Sequence, residues 1–217
     1  MRHFASIIIA AAVLFPALTS GSIAAYSNTT TDTFTDISYI ANGFSQIGDE
    51  ITLAETGILA TAATVQFYSN GSAGTFDATL QLFNIGSPVG AQIGPDFVVT
   101  GIPVTGDPAG DEVNVTFSLP NLSVPESLIF AVSISNQSAG VFVDGLELYD
   151  PPTLGSSNPS FAIATSGSGL NTVSTTDNLY FELDGTAVPE PRTVVLAGSA
   201  LVALVLLAAR RRPVSAQ

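Results

Sequence analysis

The chain has no cysteine, no tryptophan, a single methionine, a single histidine and only five basic residues among its 217. The basic residues are Arg2, Arg192, Arg210, Arg211 and Arg212 and the histidine is His3, so residues 26–187 contain no Lys, Arg, His or Cys. Seventeen of the 18 acidic residues lie in that stretch, and only Glu190 falls outside it. Each absence removes a class of function. Without Lys or Arg there is nothing to displace counterions from a phosphate backbone, which excludes nucleic acid as a partner. A Ser-His-Asp, Cys-His or Ser-Lys arrangement cannot be assembled there, and neither can a histidine metal site. No disulfide can staple the fold, so packing and strand hydrogen bonds must hold it. What is present is apolar: 46% of residues are hydrophobic, too many for a disordered acidic tail.

Much of that apolar weight sits at the two ends. Residues 1–25 open on Met1, Arg2 and His3, continue through an apolar run over 4–14 and finish in small residues over 20–25, the three-part layout of a secretory signal peptide. Small residues at Ser22 and Ala24 place cleavage after Ala24, give or take one residue at Ala25. At the other end, residues 193–209 carry no charge and are flanked by Arg192 and by Arg210, Arg211 and Arg212. A helix of that length is about 25 Å long against a bilayer core of about 30 Å, a gap that snorkelling arginines can close. Its nine Val and Leu residues contribute at most about −3 to −5 kcal/mol to insertion. The arginine cluster favours the cytoplasmic side, which leaves the acidic region outside. Val188-Pro189-Glu190-Pro191 joins the two as an extended linker, since paired prolines block helix and strand alike.

In this order, Pro189-Glu190-Pro191, an apolar helix and a terminal arginine cluster resemble the PEP-CTERM sorting signal of Gram-negative bacteria. The resemblance implies that a membrane-embedded exosortase recognises residues 188–217, cuts near Pro189-Glu190-Pro191 and passes the upstream domain towards the cell surface. No Leu-Pro-x-Thr-Gly word precedes the helix, which disfavours a Gram-positive sortase.

Residues 26–187 are enough for one substantial core. Val113, Val115, Phe117 and Leu119 alternate with polar residues, as do Phe76, Ala78, Leu80 and Leu82, and Leu179, Phe181 and Leu183; that is the period of half-buried strands. Further strands are predicted over 63–68, 129–135 and 161–165. Turn words such as Gly106-Asp107-Pro108 and Asp150-Pro151-Pro152 separate them, and no amphipathic helix or internal repeat is evident. The expectation is an all-β, antiparallel β-sandwich ectodomain between an N-terminal signal peptide and one C-terminal transmembrane helix. The words Thr64-Val65-Gln66-Phe67-Tyr68, Leu80-Gln81-Leu82-Phe83, Ser127-Leu128-Ile129-Phe130-Ala131-Val132 and Asn178-Leu179-Tyr180-Phe181 make this region similar to the bacterial choice-of-anchor ectodomains.

Carboxylates, hydroxyls and amides are the only chemistry left. A glycosidase needs two carboxylates about 5–9.5 Å apart, but among 17 acids such a pair is expected by chance. No catalytic residue is therefore named, and no cofactor is expected unless it is structural calcium, a hard cation that takes oxygen ligands. The densest clusters, Asp107 with Asp111 and Glu112, and Asp144 with Glu147 and Asp150, are the calcium candidates; a solvated acidic loop is the competing reading of each. Five Asn-x-Ser/Thr sequons stand at Asn28, Asn70, Asn114, Asn121 and Asn136, and the tyrosines, among them Tyr39, Tyr68 and Tyr149, are candidates for a sugar-binding face.

The expected protein is thus non-enzymatic, exported, held in the cytoplasmic membrane and then processed to the surface or released. Its expected partners are the exosortase, the membrane and, by the resemblance, extracellular polysaccharide or biofilm matrix. A lectin-like binding module is the alternative.

Overall fold

The computed structural model describes residues 21–39, 43–86, 89–158, 160–165, 169–174 and 178–188. The predicted signal segment up to residue 20, Pro189-Glu190-Pro191, the apolar run 193–209 and Arg210, Arg211 and Arg212 lie outside the described residues. Among the described residues no helix is long and apolar enough to cross a membrane.

The described chain is all-β. In order it forms β1 (Ile23–Asn28), β2 (Asp32–Ser38), β3 (Phe44–Thr52), β4 (Ile58–Gly71), β5 (Gly74–Asn84), β6 (Phe97–Val104), β7 (Asp111–Val124), β8 (Ser127–Ser135), β9 (Val141–Tyr149), β10 (Ser156–Ser157), β11 (Ser160–Thr165), β12 (Gly169–Ser174), β13 (Asn178–Leu179) and β14 (Phe181–Ala187). These make two antiparallel sheets of seven strands. In the first, β4 is the spine: β7 pairs along one side of it, while β14 and then β9 share the other, with β1 beyond β14 and β2 beyond β9. The second runs β12-β11-β3-β8-β5-β6, with β10 on β3. Two residues, Ser72 and Ala73, carry the chain from β4 in one sheet to β5 in the other.

The alternation read from the sequence decides which face each strand buries. Phe76, Ala78, Leu80 and Leu82 of β5 are fully buried, as are Phe117 and Leu119 of β7 and Phe181 and Leu183 of β14. The sheets meet face to face through these side chains, as a β-sandwich requires. Phe181 from one sheet stacks on Phe130 from the other at 3.8 Å between ring centres, and Phe67 meets Phe76 edge to face at 5.2 Å. Burying each such side chain contributes about 1.5–3 kcal/mol. Two expectations need adjustment. The strand over 129–135 extends back to Ser127, between β3 and β5, and Leu128 to Val132 are all buried instead of alternating. Asn178, expected to be wet, is buried and donates to Asp150 Oδ1 at 2.9 Å.

Candidate functional site

The first sheet turns one face to the core and the other outward, and on that outer face the structure builds an acidic pocket. On β9, Leu146 and Leu148 point to the core while Glu147 and Tyr149 point away. On β4, Val65 and Phe67 point in while Gln66 and Tyr68 point out. Strand register then sets the neighbours: Tyr68 lies opposite Glu112 of β7, Phe67 opposite Leu146, and Asp36 of β2 opposite Glu147.

The pocket owes its wall to an irregularity in β2. Asp32 pairs with Tyr149 and Asp36 with Glu147, so three residues of β2 span what Leu148 alone spans on β9. The excess chain bulges outward, a feature that commonly re-aims side chains. Phe34 at its crest has φ +56°, a left-handed conformation rare for a bulky residue, and is 88% exposed. The bulge is pinned by Thr33 Oγ1 donating to Leu148 O at 2.8 Å and by Phe34 N donating to Asp32 Oδ1 at 2.6 Å. Beneath it, a Cβ on Gly145 would stand 2.0 Å from Ile37 O and 2.7 Å from Asp36 Oδ2; only glycine lets β2 come this close to β9.

The result is a cavity of about 260 Å³ lined by Asp32, Phe34, Thr35 and Asp36 of β2, Tyr68 of β4, Glu112 of β7 and Glu147 of β9. Glu147 is only 7% exposed, and its carboxylate makes no hydrogen bond among the described residues. Burial, followed by the charges of Asp32, Asp36 and Glu112, pushes its pKa up to about 7. Burial and then Asp144 raise the Asp36 carboxyl, whose Oδ2 is shielded from solvent without a hydrogen-bond partner. Tyr149 donates to Gln66 Oε1 at 2.9 Å, which fixes the floor beside Glu147. Such a site attracts cations, and near neutral pH Glu147 can exchange a proton.

Of the residues singled out in the sequence, the fold brings Glu112 and Glu147, one from each acidic cluster, into this pocket with Asp32 and Asp36. Their sequence neighbours serve other ends. Asp107 accepts from Ala109 N at 2.8 Å, and Asp111 accepts from Thr105 N at 2.9 Å and Gly106 N at 2.8 Å, closing the loop before β7. The Thr105 hydroxyl and those amides hold the Asp111 carboxyl below its ordinary range. Asp144 accepts from the Ser38 hydroxyl, and Asp150 accepts from Asn178. Among the described residues no group of three or more His, Cys, Asp and Glu side chains is arranged to hold a metal ion. Ala24 pairs with Asp184, exposed within β1, and Ala25 beside it is fully buried, so the predicted signal cleavage falls inside that strand. Val188 follows β14, half exposed, its N–H on Gly57 O at 2.9 Å.

The tyrosines divide. Tyr26 and Tyr39 are core residues, the latter donating to Val132 O at 2.8 Å, whereas Tyr68 lines the pocket. Asn28 is fully buried and donates to the carbonyls of Tyr149, Asn178 and Leu179 at 3.0–3.3 Å, which removes it from the sequons open to modification; Asn70, Asn114, Asn121 and Asn136 are exposed.

A second carboxylate escaped the sequence reading. Asp49 on β3 is 1% exposed, accepts from Ser157 Oγ at 2.7 Å through Oδ2, and leaves Oδ1 without a partner. Burial pushes its pKa up to about 7 against the pull of that hydrogen bond. The signal was available: Ile47, Asp49 and Ile51 share strand parity, so an inward Asp is flanked by two core isoleucines. Asp32 and Asp36 carried no comparable signal.

No family model matches this chain, and no curated protein is recognisably similar to it in sequence.

Proposed function

We propose that this is an exported cell-envelope or extracellular-matrix protein without catalytic activity of its own. In this reading a β-sandwich ectodomain is delivered by a cleaved signal peptide, held by a transmembrane helix over 193–209, and processed by an exosortase at Pro189-Glu190-Pro191. It then associates with polysaccharide or biofilm matrix at the cell surface or in the medium. The observation that carries this reading is the place of the last described strand: β14 ends at Ala187, directly before Val188 and the proline motif. In addition, β1 pairs with β14, so the strand that follows the predicted signal peptide lies beside the strand that precedes the predicted sorting signal.

The test is the C-terminal peptide of the protein, determined by mass spectrometry separately from membranes and from culture medium. An end within 188–191 in the surface or released fraction supports sorting. An end at Gln217 in every fraction withdraws it and leaves a plain single-pass membrane protein.

The pocket favours a second reading, a binding module for polysaccharide, in which Tyr68 and Phe34 supply flat apolar surface beside the carboxylates. A hydrolase built on those carboxylates would instead show polysaccharide turnover that is lost on replacing a single Asp or Glu.

A further inference from the structure

Every charged group around the pocket has the same sign. Asp32, Asp36, Glu112 and Glu147 converge from three strands, and residues 26–187 offer no Lys, Arg or His to balance them. A buried carboxylate is ordinarily paired or hydrogen-bonded, because leaving it otherwise is costly. Glu147 is 93% shielded, lines the cavity and has no hydrogen-bond donor among the described residues; Asp36 lines it as well, with its Oδ2 turned from solvent towards Gly145 and also without a partner. What balances these carboxylates therefore has to come from outside residues 26–187, as a proton or as a bound cation.

The shape of the site says what kind of cation. A bare metal ion requires several carboxylate oxygens converging on one point, and no such group exists among the described residues. A primary ammonium needs less: three N–H donors that reach separate acceptors, with its carbon body against aromatic faces, which attract cations in turn. Phe34, 88% exposed at the rim, and Tyr68 on the wall provide those faces. About 260 Å³ is slightly below the usual ligand pocket of about 300–1,000 Å³, a size for one head group and not for an extended molecule.

We propose that the pocket bounded by Asp32, Asp36, Glu112 and Glu147 binds a primary ammonium group carried on a small organic body, either an amino-sugar unit of a polymer or an aliphatic amine. This does not depend on how the chain is exported or processed.

The experiment is isothermal titration of the full-length chain in nonionic detergent at physiological salt. The probes are a glucosamine tetramer, its fully N-acetylated counterpart, spermidine and calcium chloride. The expected result is saturable one-to-one binding of at least one amine, no binding of the acetylated tetramer, and a loss of about tenfold or more in affinity for both Glu147→Gln and Asp36→Asn. Glu55→Gln and Glu126→Gln, exposed and outside the pocket, should change affinity by less than about twofold, since salt screens distant charges. Phe34→Asn, which tolerates positive φ, should weaken binding several-fold with an unchanged Tm. Whichever amine binds identifies the source of the group. The proposal is overturned if neither amine saturates, if the acetylated tetramer binds as well, if all four carboxamide variants weaken binding equally, or if calcium occupies the pocket in preference.

Discussion

Replacing Asp49 by Asn tests the energetics of this core. Asp49 lies on the inner face of β3 between Ile47 and Ile51, opposite Phe130 of β8, and is 1% exposed. Burial raises its carboxyl from an ordinary 3.8 to about 7 in the folded protein. Because the folded pKa lies above the unfolded one, the folded state holds the proton more tightly, and unfolding releases it between these two values. The stability due to the protonated form is fully present below about pH 4 and is lost as the pH rises through about 7. A difference of about three units is worth about 4 kcal/mol, a large share of a typical stability of about 5–15 kcal/mol. Asparagine keeps an oxygen for the Ser157 hydroxyl and cannot ionise. Its amide donors must find partners near Oδ1, where Asp49 has none, at a cost of about 1–3 kcal/mol if they do not.

Urea unfolding followed by far-ultraviolet circular dichroism between pH 4 and 8 would measure the difference between the two proteins. Contributions from the other carboxylates cancel in that difference, including Glu147, whose raised pKa acts with the same sign. The variant should be the less stable or equal at pH 4 and the more stable at pH 8, the gap moving by about 3–4 kcal/mol across the range. A gap that does not vary with pH would refute the reasoning, because Asp49 would then ionise in the folded protein as it does in the unfolded chain.

Other consequences follow from the packing. Phe181→Ala removes one ring of the pair stacked across the two sheets and should cost about 3–5 kcal/mol, with a double-mutant cycle against Phe130→Ala giving about 0.5–1.5 kcal/mol of coupling. Asn28→Ala deletes an amide whose two N–H donors reach carbonyls of Tyr149, Asn178 and Leu179, tying β1 to β9 and β13, and should lower the stability measured by urea unfolding by about 1–3 kcal/mol; a neutral result would mean that β1 contributes no such tie. Gly145→Ala should push β2 off β9 and abolish whatever binds in the acidic pocket, while losing about 1–3 kcal/mol of stability in the same unfolding assay. With 17 carboxylates and no cationic side chain over 26–187, the unfolding midpoint should rise as salt goes from 0.01 M to 1 M; a fall would show that repulsion is not the dominant charge effect.

The all-β character, the inward faces of β5, β7 and β14, and the chemistry that residues 26–187 lack were all legible without coordinates. Each rests on composition or on a period of two, which neighbouring residues carry by themselves. Asp49 belongs to that group as well, since its parity with Ile47 and Ile51 marks it as inward. Only the tertiary structure decided which carboxylates meet. Asp36, Tyr68, Glu112 and Glu147 are far apart in the chain and become neighbours through the registers of β2 on β9, β9 on β4 and β4 on β7. Register depends on long-range pairing, on a bulge at 33–35 and on a glycine that admits a close strand, none of which has a local period. Acidic residues dense in sequence, such as Asp107 and Asp111, were spent on their own loop, because a carboxylate beside free backbone amides satisfies them first.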